Sequence, residues 1–114
     1  MAIDIRYDHF STERDALAEI KKRGYWPLTL NFEAETNDSH WHDFDSVLFV
    51  LEGKLSVRET ETDESCVCGP GTRIEAKAGI LHSEEHQGYR AVIGFSIDPA
   101  TLTQPINKPP PVTL

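Results

Sequence analysis

Two histidines separated by one residue are the first feature of this 114-residue sequence that could perform chemistry. His40 and His42 flank Trp41 in the segment SHWHDFD. On a β-strand, side chains two positions apart project from the same face, so two imidazoles at this spacing can hold one metal ion between them. The pair could equally lie on the surface or form hydrogen bonds in a core, and the spacing alone leaves these alternatives open.

A second group of ionisable side chains lies in the segment LHSEEH. If this segment is extended, His82, Glu84 and His86 share one face. An inward Glu84 beside a cation would stay ionised and could bind metal, orient a water or act as a general base, and we predict it as the catalytic residue. Alternatively, a twist turns Glu84 to solvent beside Glu85. For His86 the alternatives are a hydrogen-bonding residue of a pocket and an exposed residue at its rim.

Other catalytic patterns do not occur in the sequence. It has no Ser-His-Asp elbow, phosphate-binding glycine loop, dinucleotide-binding fingerprint or Cys-His nucleophile pattern, which argues against nucleophilic and nucleotide-dependent chemistry. Cys66 and Cys68 lie two positions apart, which on a strand places their Cα atoms close to the upper limit for a disulfide. Further zinc ligands do not follow nearby, so we predict two small buried thiols.

Charge and length limit the class of protein. Eleven Lys and Arg against nineteen Asp and Glu give a net charge of −8, which repels phosphate backbones and anionic lipids, so we expect no nucleic-acid or membrane partner. The amino-terminal residues are charged, and no apolar run approaches the length of a membrane span, so we predict a cytoplasmic protein.

The elements that must position these residues begin with a helix. Residues 11–23 predict a peripheral helix capped by Ser11, with basic residues in its last turn and a stop at Gly24. The whole chain, residues 1–114, has the length of a single domain.

After the helix, residues 26–97 predict an antiparallel barrel or sandwich of short strands. Turn residues separate the β-rich segments, among them Glu52-Gly53 and Gln87-Gly88. Residues 99–114 hold five of the seven prolines and predict an extended tail that either packs on a neighbour or is mobile. The predicted strands are Trp26 to Glu33, Val47 to Leu51, Lys54 to Glu59, Cys66 to Cys68, Thr72 to Ala76, Leu81 to His86 and Arg90 to Ile97.

Two longer motifs resemble those of the cupin superfamily. The segment HWHDFDSVLFVLEGKLSV, residues 40–57, is similar to the first cupin motif, in which HxH leads into an apolar strand and a glycine turn. The segment GTRIEAKAGILHSEEH, residues 71–86, is similar to the second, with His82 three residues after Gly79. The resemblance implies an all-β double-stranded β-helix, or jelly-roll barrel, with one short amino-terminal helix. It also implies a metal pocket lined by His40, His42 and His82.

The sequence departs from the family pattern at the usual carboxylate ligand. Where metal-binding cupins commonly have a glutamate four residues after the second histidine, this chain has Ser46. Asp45 is adjacent, but strand alternation gives it the outward parity, so we do not assign it the role of the glutamate. Three neutral imidazoles without that carboxylate leave a divalent ion at +2, which favours an anionic ligand. Iron, zinc, manganese, nickel and copper all suit such a site.

The resemblance implies two classes of function. The first is a metal-dependent enzyme of dioxygenase, isomerase or lyase type that acts on a small anionic metabolite. The second is a noncatalytic cupin that binds or senses a small molecule and needs a partner to transmit the signal. Small cupins of one barrel are commonly dimers, so the resemblance also implies a homodimer.

Overall fold

The computed structural model describes residues 1–111, and the end of the predicted tail, residues 112–114, lies outside the described residues. One helix, six strands and one 3₁₀ turn make up this part of the chain. No helix in it is long and apolar enough to cross a membrane. The elements are β1 (Asp4–Arg6), α1 (Glu13–Arg23), β2 (Trp26–Thr36), β3 (Ser46–Glu59), β4 (Ser65–Cys68), β5 (Arg73–Ala76), β6 (His82–Phe95) and a 3₁₀ turn at Pro99–Thr101.

The strands form an antiparallel sheet that curves into the predicted jelly-roll barrel, so the all-β prediction is confirmed. The strand order is β1-β5-β3-β6-β2, with β4 paired to β3. The two longest strands, β3 and β6, lie side by side from the Ser46–Phe95 pair to the Glu59–His82 pair. This ladder is the central pairing of the fold, because it connects the sheet edge at β2 to the strands β4 and β5.

Two predicted turns are wrong, because they are irregularities within continuous strands. Glu52-Gly53 lies inside β3 and Gln87-Gly88 lies inside β6. The β3–β6 register shifts between Val50 and Glu52 and again between Gly53 and Leu55. A bulge of this kind bends a strand without ending it. Gly53 has a φ of 76°, a conformation that L side chains rarely adopt.

The helix packs on the outer face of the sheet. It begins at Glu13 rather than Ser11, because Thr12 is the N-cap: its side chain accepts a hydrogen bond from the Asp15 amide, and the Asp15 side chain accepts one from the Thr12 amide. Gly24 ends the helix in the left-handed conformation, as predicted. The buried residues between helix and sheet are Ala16, Ile20, Val47, Phe49 and Val92.

A second apolar cluster lies inside the barrel. Both cysteines are free, as predicted, but only Cys68 is buried and Cys66 is half-buried, so the predicted burial is wrong for Cys66. Burial raises the pKa of the Cys68 thiol to about 11. Cys68 therefore acts as an inert core side chain. The buried members of this cluster are Ile3, Val50, Leu55, Val57, Cys68, Ile74, Tyr89 and Ala91.

The bend of β3 predicts a difference between two glycine substitutions. A Cβ at Gly53 would lie 2.7 Å from the carbonyl oxygen of Gly88, whereas a Cβ at Gly24 would meet nothing within 4 Å. Both residues have a φ of 76°, so both alanine variants incur the left-handed penalty of roughly 1–2 kcal/mol. We expect Gly53→Ala to lower the free energy of unfolding by about 1–3 kcal/mol more than Gly24→Ala, because of overpacking. Urea denaturation measures both, and equal losses would contradict this account of the bend.

Candidate metal centre

The three histidines assigned to the metal pocket converge. His40 and His82 form an isolated antiparallel bridge, in which each amide donates to the other's carbonyl at 2.9 and 3.0 Å. Both are buried, and His42 is half-buried beside them. One ligand atom from each ring lies within 4.8 Å of the other two. The strand-like spacing of His40 and His42 therefore brings both rings to one centre, together with a third ring from β6.

Backbone carbonyls orient all three imidazoles in the same manner. In each ring Nδ1 lies within hydrogen-bond distance of a carbonyl oxygen, which is acceptor only, so Nδ1 carries the proton. The Nε2 lone pair of each neutral ring then remains available for a metal ion. The accepting carbonyls are those of Asp38 for His40 (2.8 Å), Ile106 for His42 (2.9 Å) and Ile80 for His82 (2.9 Å).

Glu84 points toward these rings, which decides between the two orientations left open by the sequence. Its Oε1 lies 3.1 Å from Nε2 of His82, and its Oε2 lies 3.6 Å from Nε2 of His40. The Asn37 side chain donates to Oε2 at 2.6 Å and accepts from the Glu84 amide at 2.7 Å. Asn37 was missed in the sequence, where it belongs to a cluster of turn residues, and it fixes the carboxylate.

Charge coupling sets the protonation of this pair. Burial opposes ionisation of Glu84, but hydrogen bonds from His82 and Asn37 and the charge of His82 outweigh burial and lower the pKa of Glu84 to about 2. Burial also opposes protonation of His82, yet the adjacent carboxylate raises its pKa above the usual 6.5. Burial lowers the pKa of His42. Glu84 is therefore ionised at neutral pH, and His42 is neutral.

These residues fit a divalent transition ion. Ligands about 2.1 Å from a tetrahedral zinc ion lie about 3.4 Å from one another, and the two distances from Glu84 oxygens to imidazole nitrogens are 3.1 and 3.6 Å. Imidazole nitrogens with a carboxylate suit several such metals. A divalent ion with three neutral imidazoles has a total charge of +2, as expected from the sequence. An ionised Glu84 beside it lowers this total charge to +1.

The two other candidate positions do not supply a carboxylate to the centre. Ser46 lines the same cavity, as its inward parity predicts, but carries only a hydroxyl. Asp45 accepts a hydrogen bond from the Ala78 amide at 2.8 Å and so stabilises the turn before His82. The carboxylate nearest the rings thus comes from β6.

A mainly apolar cavity of about 500 Å³ opens beside the histidines, a volume suited to a small molecule. Its wall includes apolar side chains from β3, β5 and β6, such as Leu48, Ile74 and Phe95. Glu35 and Glu84 also line it, and none of the described lining residues is Lys or Arg. An anionic group in this cavity would therefore find positive charge only at a bound metal ion or at a protonated histidine such as His82.

The proline-rich tail completes one wall of the cavity. Ile106 and Asn107 line it, and Lys108 pairs with Trp41 through two backbone hydrogen bonds of 2.9 and 3.1 Å. The Trp41 indole donates to the carbonyl of Pro109 at 2.8 Å. The described part of the tail thus packs on its own chain, an arrangement that neither sequence alternative included. Proline content predicts an irregular backbone but not the surface on which it lies.

Comparison with solved structures confirms the cupin fold. A DUF861 family protein from Thermotoga maritima superposes with a TM-score of 0.60 at 16% identity, over 82% of this chain and 98% of that chain. A cupin superfamily protein from Desulfitobacterium hafniense gives 0.51 at 14%, over 64% and 79%. The DMSP lyase DddQ from Ruegeria pomeroyi gives 0.55 at 19%, over 72% and 44%. No protein-family model and no curated protein matches the sequence.

The tail contact predicts that residues remote in sequence control metal affinity. Deleting residues 103–114 removes the Ile106 carbonyl that orients His42, and we expect affinity for Zn²⁺ to fall about 10- to 100-fold while the barrel remains folded. Trp41→Phe removes one hydrogen bond to the tail and should cause a smaller loss. Isothermal titration calorimetry measures affinity, and circular dichroism reports folding. Undiminished affinity in a folded truncated protein would show that the carbonyl has no positioning role.

The Glu84–His82 pair predicts a pH-dependent metal affinity. Because the pKa of His82 is raised, a proton occupies its Nε2 up to a higher pH than in a free imidazole, and a metal ion must displace it. Affinity for Zn²⁺ should therefore fall as the pH is lowered through the titration of His82. Glu84→Gln removes the group that raises this pKa, so the fall should shift to lower pH. Calorimetry across a pH series tests this, and an unshifted profile in the variant would refute it.

Proposed function

We propose that this chain is a metal-dependent enzyme, of lyase or isomerase type, that removes a proton from a small molecule bound to a divalent transition ion. His40, His42 and His82 would hold the ion, and Glu84 would accept the proton. One observation is the main support for this proposal: the ionised carboxylate of Glu84 lies 3.1 Å from Nε2 of His82 and lines a cavity of about 500 Å³.

The ion and the carboxylate have separate tasks in this proposal. An ion on the three imidazoles would act as a Lewis acid that polarises an oxygen of the bound molecule and so acidifies a neighbouring C–H group. Glu84 is the carboxylate placed to accept the proton, and the Asn37 amide holds its orientation. A bound ion would take the place of the proton on His82 and keep Glu84 ionised, which is the state in which a carboxylate can accept a proton.

The cavity restricts the substrate class. Its described lining has no Lys or Arg, so the anionic charge expected from the sequence would belong to the group that binds the ion. The rest of the molecule would be mainly apolar, to match Leu48, Ile74 and Phe95. A lyase is among the solved proteins of similar fold, although a shared fold does not by itself determine the reaction.

Metal analysis tests the binding half of this proposal. We expect metal-free wild-type protein to take up a divalent transition ion, and His82→Ala to lose more than about 100-fold in affinity. His9→Gln is the matched control, because His9 bonds to Glu19 and is not a member of the histidine cluster. Wild-type protein that binds no divalent ion, as judged by calorimetry and elemental analysis, would overturn the proposal.

Deuterium exchange tests the catalytic half. Metal-loaded protein is incubated in D₂O with a panel of small hydroxy and oxo acids, and NMR follows loss of C–H signal and formation of product. Glu84→Gln should retain metal but lose at least about 100-fold in rate. Oxygen uptake that survives in Glu84→Gln would instead identify a dioxygenase. Ligand binding without exchange, oxygen uptake or product would support the noncatalytic alternative.

A further inference from the structure

His86 presents an unpaired donor to the cavity. The residue is 6% exposed and lines the cavity wall. Its Nδ1 accepts a hydrogen bond from the Gly88 amide at 3.1 Å, so the proton of the neutral ring is on Nε2. Within residues 1–111, no group pairs with that Nε2 atom. A donor at the cavity wall that has no partner among the described residues is available to an acceptor oxygen of a bound molecule.

Tyr89 places a second unpaired polar group next to the first. Its ring stacks on the ring of Phe32, with the two ring centroids 4.6 Å apart, and forms a T-shaped pair with the ring of His86 at the same centroid distance. The hydroxyl bonds to none of the described residues, and Tyr89 also lines the cavity. Burial, together with the negative charges of Glu84 and Glu35, raises the pKa of Tyr89, so the hydroxyl remains a donor.

These two groups lie apart from the metal centre but on the same wall. The β3–β6 register is continuous from the Leu55–His86 pair to the Glu59–His82 pair, so His82 and His86 project from the same face. Four residues of strand separate their Cα atoms by about 13 Å. His86 is not a member of the three-histidine cluster. A molecule bound at the histidine cluster must therefore extend along β6 to reach it.

The charges around this position select the type of group it binds. Glu35 lines the cavity and lies opposite His86 on the adjacent strand, so a second anionic group would be repelled there. Two donors without a nearby cation suit a neutral acceptor oxygen.

We propose that His86 and Tyr89 form a second recognition subsite, which holds a neutral carbonyl or hydroxyl oxygen at the end of the substrate opposite its metal-binding group. This inference rests on the proposed function, because it takes the metal centre as the other anchor. It narrows the substrate to an elongated molecule with an anionic or chelating group at one end, an apolar middle and one uncharged oxygen at the other end.

Matched chelators test the subsite. The probes are alkyl hydroxamates of increasing chain length, each prepared with a terminal hydroxyl or a terminal methyl, titrated into Zn²⁺-loaded protein. At one chain length the hydroxyl compound should bind wild-type protein about tenfold more tightly than its methyl partner. Tyr89→Phe keeps the ring on Phe32 and should reduce this advantage about fivefold. His86→Asn keeps an acceptor near the Gly88 amide, removes Nε2 and should reduce it similarly.

The outcomes separate this inference from the proposed function. If methyl-terminated hydroxamates bind but the hydroxyl gives no advantage at any length, the subsite is absent while the metal centre stands. The same conclusion follows if the advantage persists in both variants. If the wild-type protein takes up no Zn²⁺, both the proposed function and the subsite are wrong. If His86→Asn does not fold, Tyr89→Phe still tests the subsite, because this substitution removes only a hydroxyl group and should leave the fold intact.

Discussion

The antiparallel pairing of β3 with β6 is the interaction on which the rest of this molecule depends. It bends where Gly53 approaches the Gly88 carbonyl, and beyond the bend the inward face of β6 carries His82, Glu84 and His86. The same pairing buries the opposite face of β3 under the helix. A single ladder therefore determines both the stability of the barrel and the line along which its polar groups enter the cavity.

Polar groups in an apolar cavity are energetically unfavourable unless they are paired, and the polar groups of this cavity are of two kinds. Near the histidine cluster, each polar side-chain atom of Glu84 and Asn37 has a partner within the protein, and the carboxylate stays ionised. Farther along β6, His86 and Tyr89 are left with open donors. The first arrangement suits the reaction centre that we propose, and the second suits the proposed subsite for an acceptor oxygen of the bound molecule.

The sequence predicts the cluster better than its surroundings. The spacing of His40 and His42 and the position of His82 after Gly79 are local signals that match the two cupin motifs, and the resemblance implies the three rings that the structure brings together. The inward direction of Glu84 could not be decided, because it requires that no bulge interrupt β6 between positions 82 and 86. Gly53 was predicted to lie in a turn, whereas it lies at a bulge within β3. A glycine at positive φ is compatible with both structures, so the residue type alone could not distinguish them.

Local sequence patterns could not predict contacts between residues that lie far apart in the sequence. The carbonyl that orients His42 lies 64 positions away, and such a contact forms only after the intervening strands have folded. The segment that supplies it is held by few hydrogen bonds compared with the β3–β6 ladder, so it opens locally at a lower free energy than global unfolding. Each opening frees one imidazole to rotate. An ion held at this centre would then leave at a rate set by local opening of this surface segment, which amide hydrogen exchange can follow, rather than by the lifetime of the barrel.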